Sequence, residues 1–372
     1  MYHYNKRKLF KIKALFYFFK IFGLATISSS FKTKSKIKNS SNKIFASSKV
    51  GASYNILLCL LLILPNYTIA KDIIISFVVF EQEYVEEREE SIKLRIILLA
   101  ITFSFEFLPQ ILIIVTVTAR QNFFAQILNQ MKKIEMHVEN LTFDNSGGSL
   151  SMRLSRVFYT AVIYWFIYAF SFLWLFTVPN ETPMTLRIII YYTYEALCRI
   201  IIQVTILQCS LFLHTIANAF EIVNNSIKII LSRTEISIER DFGIRRYVND
   251  DTFQSMHSYD FDPLSVQNFD QYLKLRKLSD CRKLHRILIE TSKLLSDYYS
   301  PMITLSLIYI FIRVVLDFSG EIKCLAKKEC WTTALGFASL SYFITFTLGY
   351  IVFLVILTNA ASSVILKVLL TF

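Results

Sequence analysis

The sequence predicts an all-α fold: a polytopic transmembrane helical bundle with six visible spans and its N-terminus inside. Three observations carry this. Of the 372 residues 54% are hydrophobic and only 18% are charged, with a mean hydropathy of +0.46; an ordinary soluble domain carries about 25% charged residues. Six windows, 51–70, 95–118, 157–178, 188–213, 300–318 and 332–358, are predominantly apolar over roughly the 20 residues that a bilayer-crossing helix needs. The net charge of +12 is concentrated at one end: residues 1–50 hold twelve Lys and Arg and neither Asp nor Glu. A lysine-rich end next to a first span stays on the cytoplasmic side.

The segments follow in order. Residues 1–50 form a basic cytoplasmic segment. Within it Ala14–Phe19 is apolar but is flanked by Lys11, Lys13 and Lys20, which suits an amphipathic helix on the inner leaflet better than a signal peptide. Residues 51–213 carry spans one to four. The loop 71–94 holds Asp72, Glu81, Glu83, Glu86, Glu87, Glu89 and Glu90 and is placed outside. The loop 119–156, with Arg120, Lys132, Lys133, Arg153 and Arg156, is placed inside. The short loop 179–187 is outside and contains a glycosylation sequon at Asn180, a signal that matters only on the lumenal side. Residues 214–299 form a cytoplasmic loop with helical spacing over 214–240 and 270–297; its polar middle, 241–269, is expected to be poorly ordered. Residues 300–358 carry spans five and six. The outer loop 319–331 between them contains Cys324 and Cys330, as a disulfide or as two free thiols. Residues 359–372 form a cytoplasmic C-terminal segment.

Signals for catalysis are absent from the sequence. The histidines His3, His137, His214, His257 and His285 make no zinc-binding spacing, and there is no G-x-S-x-G, P-loop or G-x-G-x-x-G. The cysteines form no C-x-x-C pair. No enzyme activity, cofactor or metal is expected. The basic end lacks the folded basic face that nucleic-acid binding requires.

Ionisable residues within spans are costly to place in lipid and so are functional candidates. Glu195 and Arg199 lie four apart on the fourth span, and Arg313 and Asp317 four apart on the fifth. Each pair can neutralise itself on one helix face, and the second lies near the outer interface, where long side chains snorkel easily. Glu106 has no partner on its own span. That leaves a partner on another helix, Arg199 being one candidate, or an aqueous cavity. Aromatic residues crowd spans two, three, four and six, Tyr164 to Trp174 most densely. They read either as interfacial belts and helix packing or as a pocket for a small organic ligand opening outward.

Several stretches in a fixed order resemble the insect gustatory receptors, within the insect chemoreceptor superfamily. Lys20-Ile21-Phe22-Gly23-Leu24 resembles the family's short hydrophobic segment ending in Gly-Leu. Ser53-Tyr54-Asn55 enters the first span as in many members, and Arg120 to Met131 resembles the helix that leaves the second. The longest stretch is Leu284-His285-Arg286-Ile287-Leu288, then Leu294-Leu295-Ser296-Asp297-Tyr298-Tyr299-Ser300, leading into the fifth span. The similarity runs over nearly the whole chain. It departs from the family at the end: members have a seventh span with a Thr-Tyr-x5-Gln-Phe signature, whereas this sequence closes on Thr371-Phe372. On that ground the chain is expected to be truncated before the pore helix.

The resemblance implies a tastant-gated, non-selective cation channel subunit in the plasma membrane of sensory neurons. It implies a homo- or hetero-tetramer with related receptors, and no nucleic-acid partner. It also implies a ligand pocket among spans two, three, four and six, for which Glu106, Tyr168, Phe172, Tyr191, Glu195 and Tyr342 are the candidates. The alternatives are a G-protein-coupled receptor, a six-span transporter and a non-conducting receptor fragment. The lysine-rich N-terminus and the missing Asp-Arg-Tyr and Asn-Pro-x-x-Tyr motifs count against the first. The second is disfavoured by the lack of an internal repeat.

Overall fold

The computed structural model describes residues 17–29, 45–64, 106–142, 150–177, 186–247, 263–325 and 334–369. These residues are overwhelmingly helical. A helical turn at 17–21 leads to β1 (Ile27–Ser29), which pairs antiparallel with β2 (Phe45–Ser47), Ile27 opposite Ser47. Seven helices follow: α1 (Lys49–Leu64), α2 (Glu106–Ala119), α3 (Gln121–Thr142), α4 (Leu150–Thr177), α5 (Leu186–Tyr247), α6 (Pro263–Leu325) and α7 (Ala334–Leu369). The protein is an all-α polytopic membrane protein, with this one small strand pair added.

Four helices, α4 to α7, are long and apolar enough to cross a membrane, and a fifth span results if α2 and α3 count as one bent pair. The described part of the first expected span, α1, is shorter. Large apolar side chains point outward: Phe166 and Phe170 on α4, Phe311 and Val315 on α6, Leu348 and Ile351 on α7. An outward apolar face of this kind suits lipid, where helices satisfy their own backbone groups.

Helix α5 is the hub. It packs against α4, α6 and α7, and from Ala196 to Val223 most of its side chains are buried. An apolar run without a polar stripe leads to that position. Several of its polar side chains find partners within the bundle. Thr205 and Ser210 donate to carbonyls one turn back, at 2.8 Å each. Gln203 accepts from Trp165 Nε1 of α4 at 3.1 Å. At the far end of α7, Lys367 pairs with Glu221 of α5 at 2.5 Å, and Asn224 donates to the Lys367 carbonyl.

The 67° bend between α2 and α3 has an identifiable anchor. Pro301 sits inside α6. Having no N–H, it leaves the carbonyl four residues earlier, Asp297, without its helical donor. Arg120, at the bend, donates Nη1 to that carbonyl at 2.7 Å.

Of the apolar run 14–19 expected as a surface helix, 14–16 lies outside the described residues and 17–19 opens the helical turn; the stretch that follows goes into the bundle rather than along a surface. Residues 18–27 are mostly buried, Leu24 and Ile27 fully. Gly23 turns the chain with φ +73, a region glycine enters without strain. The Gly23 carbonyl accepts from Asn55 of α1 at 2.9 Å, and the Leu24 carbonyl from Gln208 of α5 at 3.2 Å. Two buried amides thus satisfy backbone carbonyls that the interior would otherwise leave unpaired. This backbone-to-side-chain fit is what draws the segment inward.

Helices α5 and α6 also run further into the central loop than the spacing predicts: 241–247 and 263–269 are helical, and 248–262 lies outside the described residues.

Candidate functional site

The ionisable residues within the spans converge. Glu106 comes from α2, Glu195 and Arg199 from α5, Arg313 and Asp317 from α6, and all five are at most 8% exposed. Arg313 is the centre. Its Nη1 lies 3.2 Å from Glu106, its Nη2 3.2 Å from Asp317, and Nη2 also donates to Glu195. Arg199 donates to Glu195 and stands 3.7 Å from Asp317. Both expected intrahelical pairs are present, and they fuse into one group of five.

Of the two readings of Glu106, a partner on another helix is the one found, and that partner is Arg313, where Arg199 was the candidate. A second expectation is corrected. Arg313 and Asp317 do not snorkel towards an interface; they are buried. The reason is shared. Taking a charge out of water is tolerated only when partners surround it, and Arg313 offers a planar fork with several donors. Three carboxylates from three helices gather on that fork.

A group of aromatic rings adjoins the ionic group. Tyr168 of α4 stacks edge-on against Phe346 of α7, with centroids 4.4 Å apart, and Tyr342 against Phe346 at 4.8 Å. Phe172 lies 6.2 Å from both Tyr168 and Tyr342. The spacing explains the assembly: 168 and 172 are one turn apart on α4, and 342 and 346 one turn apart on α7. The two groups meet where the Arg199 guanidinium sits 3.9 Å above the Phe346 ring. Such a contact is attractive because the ring face is electronegative.

Five of the six candidates, Glu106, Glu195, Tyr168, Phe172 and Tyr342, therefore lie in one connected assembly drawn from α2, α4, α5, α6 and α7. Tyr191 is on α5, and its side chain lies outside the described residues. So do Asn180, Cys330 and the Cys324 side chain. In the sequence the pairs Glu195/Arg199 and Arg313/Asp317 can each be self-contained, with Arg199 also one candidate partner for Glu106, and nothing there singles out Phe346. The signal for their joining was present: two i,i+4 ion pairs and a lone glutamate in three apolar spans add up to an odd carboxylate. Among the described residues no group of His, Cys, Asp or Glu is arranged to hold a metal ion.

The arrangement can bind and discriminate. It joins ring faces to charged groups in a water-poor interior, where electrostatic contacts are strong. Nothing in it resembles a nucleophile held by a base. A sequence model of the family described as 7tm Chemosensory receptor matches residues 12–372. No curated protein matches the chain.

Proposed function

Because the chain belongs to the 7tm Chemosensory receptor family, we propose that it is a gustatory-type receptor subunit. In this reading a small-molecule tastant binds at the Tyr168, Phe172, Tyr342 and Phe346 rings and favours an open, non-selective cation-conducting state. The receptor sits in the plasma membrane of sensory neurons, with its N-terminus inside, and assembles as a tetramer with itself or with related receptors. The observation that carries the reading is the contact of Arg199 with Phe346. It joins the rings between α4 and α7 to an ionic group that ties α2, α5 and α6 together. A ligand seated on the rings would shift Arg199, and with it the partners of three further helices. A ligand moves such an equilibrium only by its differential affinity for the two arrangements.

The test is cation influx in cells expressing the chain, alone and with related subunits, against a panel of sugars, amines and neutral aromatic compounds. An active compound should lose about tenfold in potency with Tyr342→Ala at matched surface expression, given roughly 0.5–1.5 kcal/mol for aromatic contacts beyond burial itself. An unchanged dose–response for every active compound would refute the site.

A further inference from the structure

We propose that residues 17–24 form an internal strap that holds α4 against α1 and α5 and so raises the cost of seating a ligand at the rings. The proposal rests on the preceding reading of the rings as a ligand site and adds how that site is regulated.

The bundle grips this segment by its backbone. The Ile21 carbonyl accepts from Tyr54 Oη at 2.6 Å, the Gly23 carbonyl from Asn55 Nδ2 at 2.9 Å and the Leu24 carbonyl from Gln208 Nε2 at 3.2 Å. The first two donors belong to α1 and the third to α5. Asn55 Nδ2 also donates to Thr118 Oγ1 of α2, at 2.8 Å. Interior carbonyls need donors, and these come from side chains on other elements. The seat fits closely as well: a Cβ on Gly23 would lie 2.9 Å from both Asn55 Oδ1 and Leu58 Cδ2.

The other end of the segment is held by rings. Phe18 packs against Trp165 and Phe158 of α4, with centroids 5.4 and 6.3 Å apart. The segment is thus fixed to α1 and α5 by its carbonyls and to α4 by Phe18.

A run of contacts leads from Phe18 to the rings. Trp165 donates Nε1 to Gln203 of α5 at 3.1 Å, and Gln203 donates Nε2 to the Tyr164 hydroxyl at 3.4 Å. That hydroxyl donates to the Thr345 carbonyl of α7 at 3.3 Å. The Ser171 and Thr345 hydroxyls hydrogen-bond at 3.3 Å, and these two residues directly precede Phe172 and Phe346. Phe18 therefore rests on the layer of side chains that backs the rings.

The packing of the rings sets the direction of the effect. Tyr168 and Tyr342 each meet Phe346 edge-on, with centroids 4.4 and 4.8 Å apart. Rings in such contact leave no gap between them, so a ligand seated among them must part α4 from α7. Moving α4 strains its tie to the strap. Contacts that favour the packed arrangement subtract from the ligand's apparent affinity. A loosened strap should therefore make the receptor more sensitive. A segment with a merely structural role would lose expression when weakened and gain no sensitivity.

The experiment is cation influx in cells expressing the full chain, alone and with related subunits, with the compounds that activate the unaltered receptor and at matched surface expression. Phe18→Ala should raise their potency by about threefold or more, the size of a lost aromatic contact. Tyr54→Phe, at an exposed position, removes the donor to the Ile21 carbonyl and should act in the same direction. It decides the matter if Phe18→Ala fails to reach the surface. Unchanged or lowered potency in either variant that reaches the surface would overturn the proposal. If Tyr342→Ala shifts the response while the strap variants do not, the ligand site survives and only the strap is refuted. If no compound activates the chain, or Tyr342→Ala shifts none of them, the site falls and the strap with it.

Discussion

At the scale of single residues, Arg313 is the most consequential side chain described. It touches Glu106, Glu195 and Asp317 from three helices. Its replacement would leave three buried carboxylates with one guanidinium between them. Removing one partner of a buried ion pair typically costs about 3–5 kcal/mol. Arg313→Met should therefore lower the thermal unfolding midpoint of the purified protein strongly and reduce its surface expression. Lys132→Ala, which removes a half-exposed i,i+3 pair with Glu135, should change stability by less than about 1 kcal/mol. Similar midpoints for the two variants would show that the buried group carries no special weight. Both intrahelical pairs of the group were legible in the sequence, since i,i+4 spacing in an apolar span leaves few other readings. Their fusion was not. It depends on the rotation of α2, α5 and α6 about their own axes, and periodicity cannot fix that when a helix is apolar on every side.

At the scale of elements, α4 and α7 approach each other closely where Gly349 faces Tyr164. A Cβ on Gly349 would lie 1.9 Å from the Tyr164 hydroxyl, which donates to the Thr345 carbonyl at 3.3 Å. Gly349→Ala should separate the two helices and cost about 1–3 kcal/mol, the range for an overpacked core. Ring carbons Cζ and Cε2 of Tyr164 would also lie 2.2 and 2.7 Å from that Cβ, so Tyr164→Leu, which removes the ring, should recover part of the loss in the same chain. Thermal unfolding of the single and double variants measures this; a single variant as stable as the unaltered protein would disprove the close approach. The two aromatic turns of these helices could be read from spacing alone, but their facing could not. The N-terminal segment was the least legible element. Lysines around a short apolar run look like a surface helix, whereas the determining features are the distant amides of Asn55 and Gln208, which meet the Gly23 and Leu24 carbonyls. The sequence also gives no sign that Arg120 answers the carbonyl freed by Pro301, because the two are joined only in space.

At the scale of the whole molecule, the helices outside the core present apolar faces to their surroundings, and α5 is enclosed by α4, α6 and α7. The odd charge count lies in this enclosed region, beside the rings. The account makes these one unit, so a perturbation of the rings must be felt by the ionic group. The most direct measurement is a double-mutant cycle on ligand potency, with Phe346→Leu, Glu195→Gln and their combination compared with the unaltered receptor at matched surface expression. The account predicts a coupling of about 0.5 kcal/mol or more, the threshold that separates interacting sites from independent ones. Effects that simply add would mean that the rings and the charges act separately, and would contradict it.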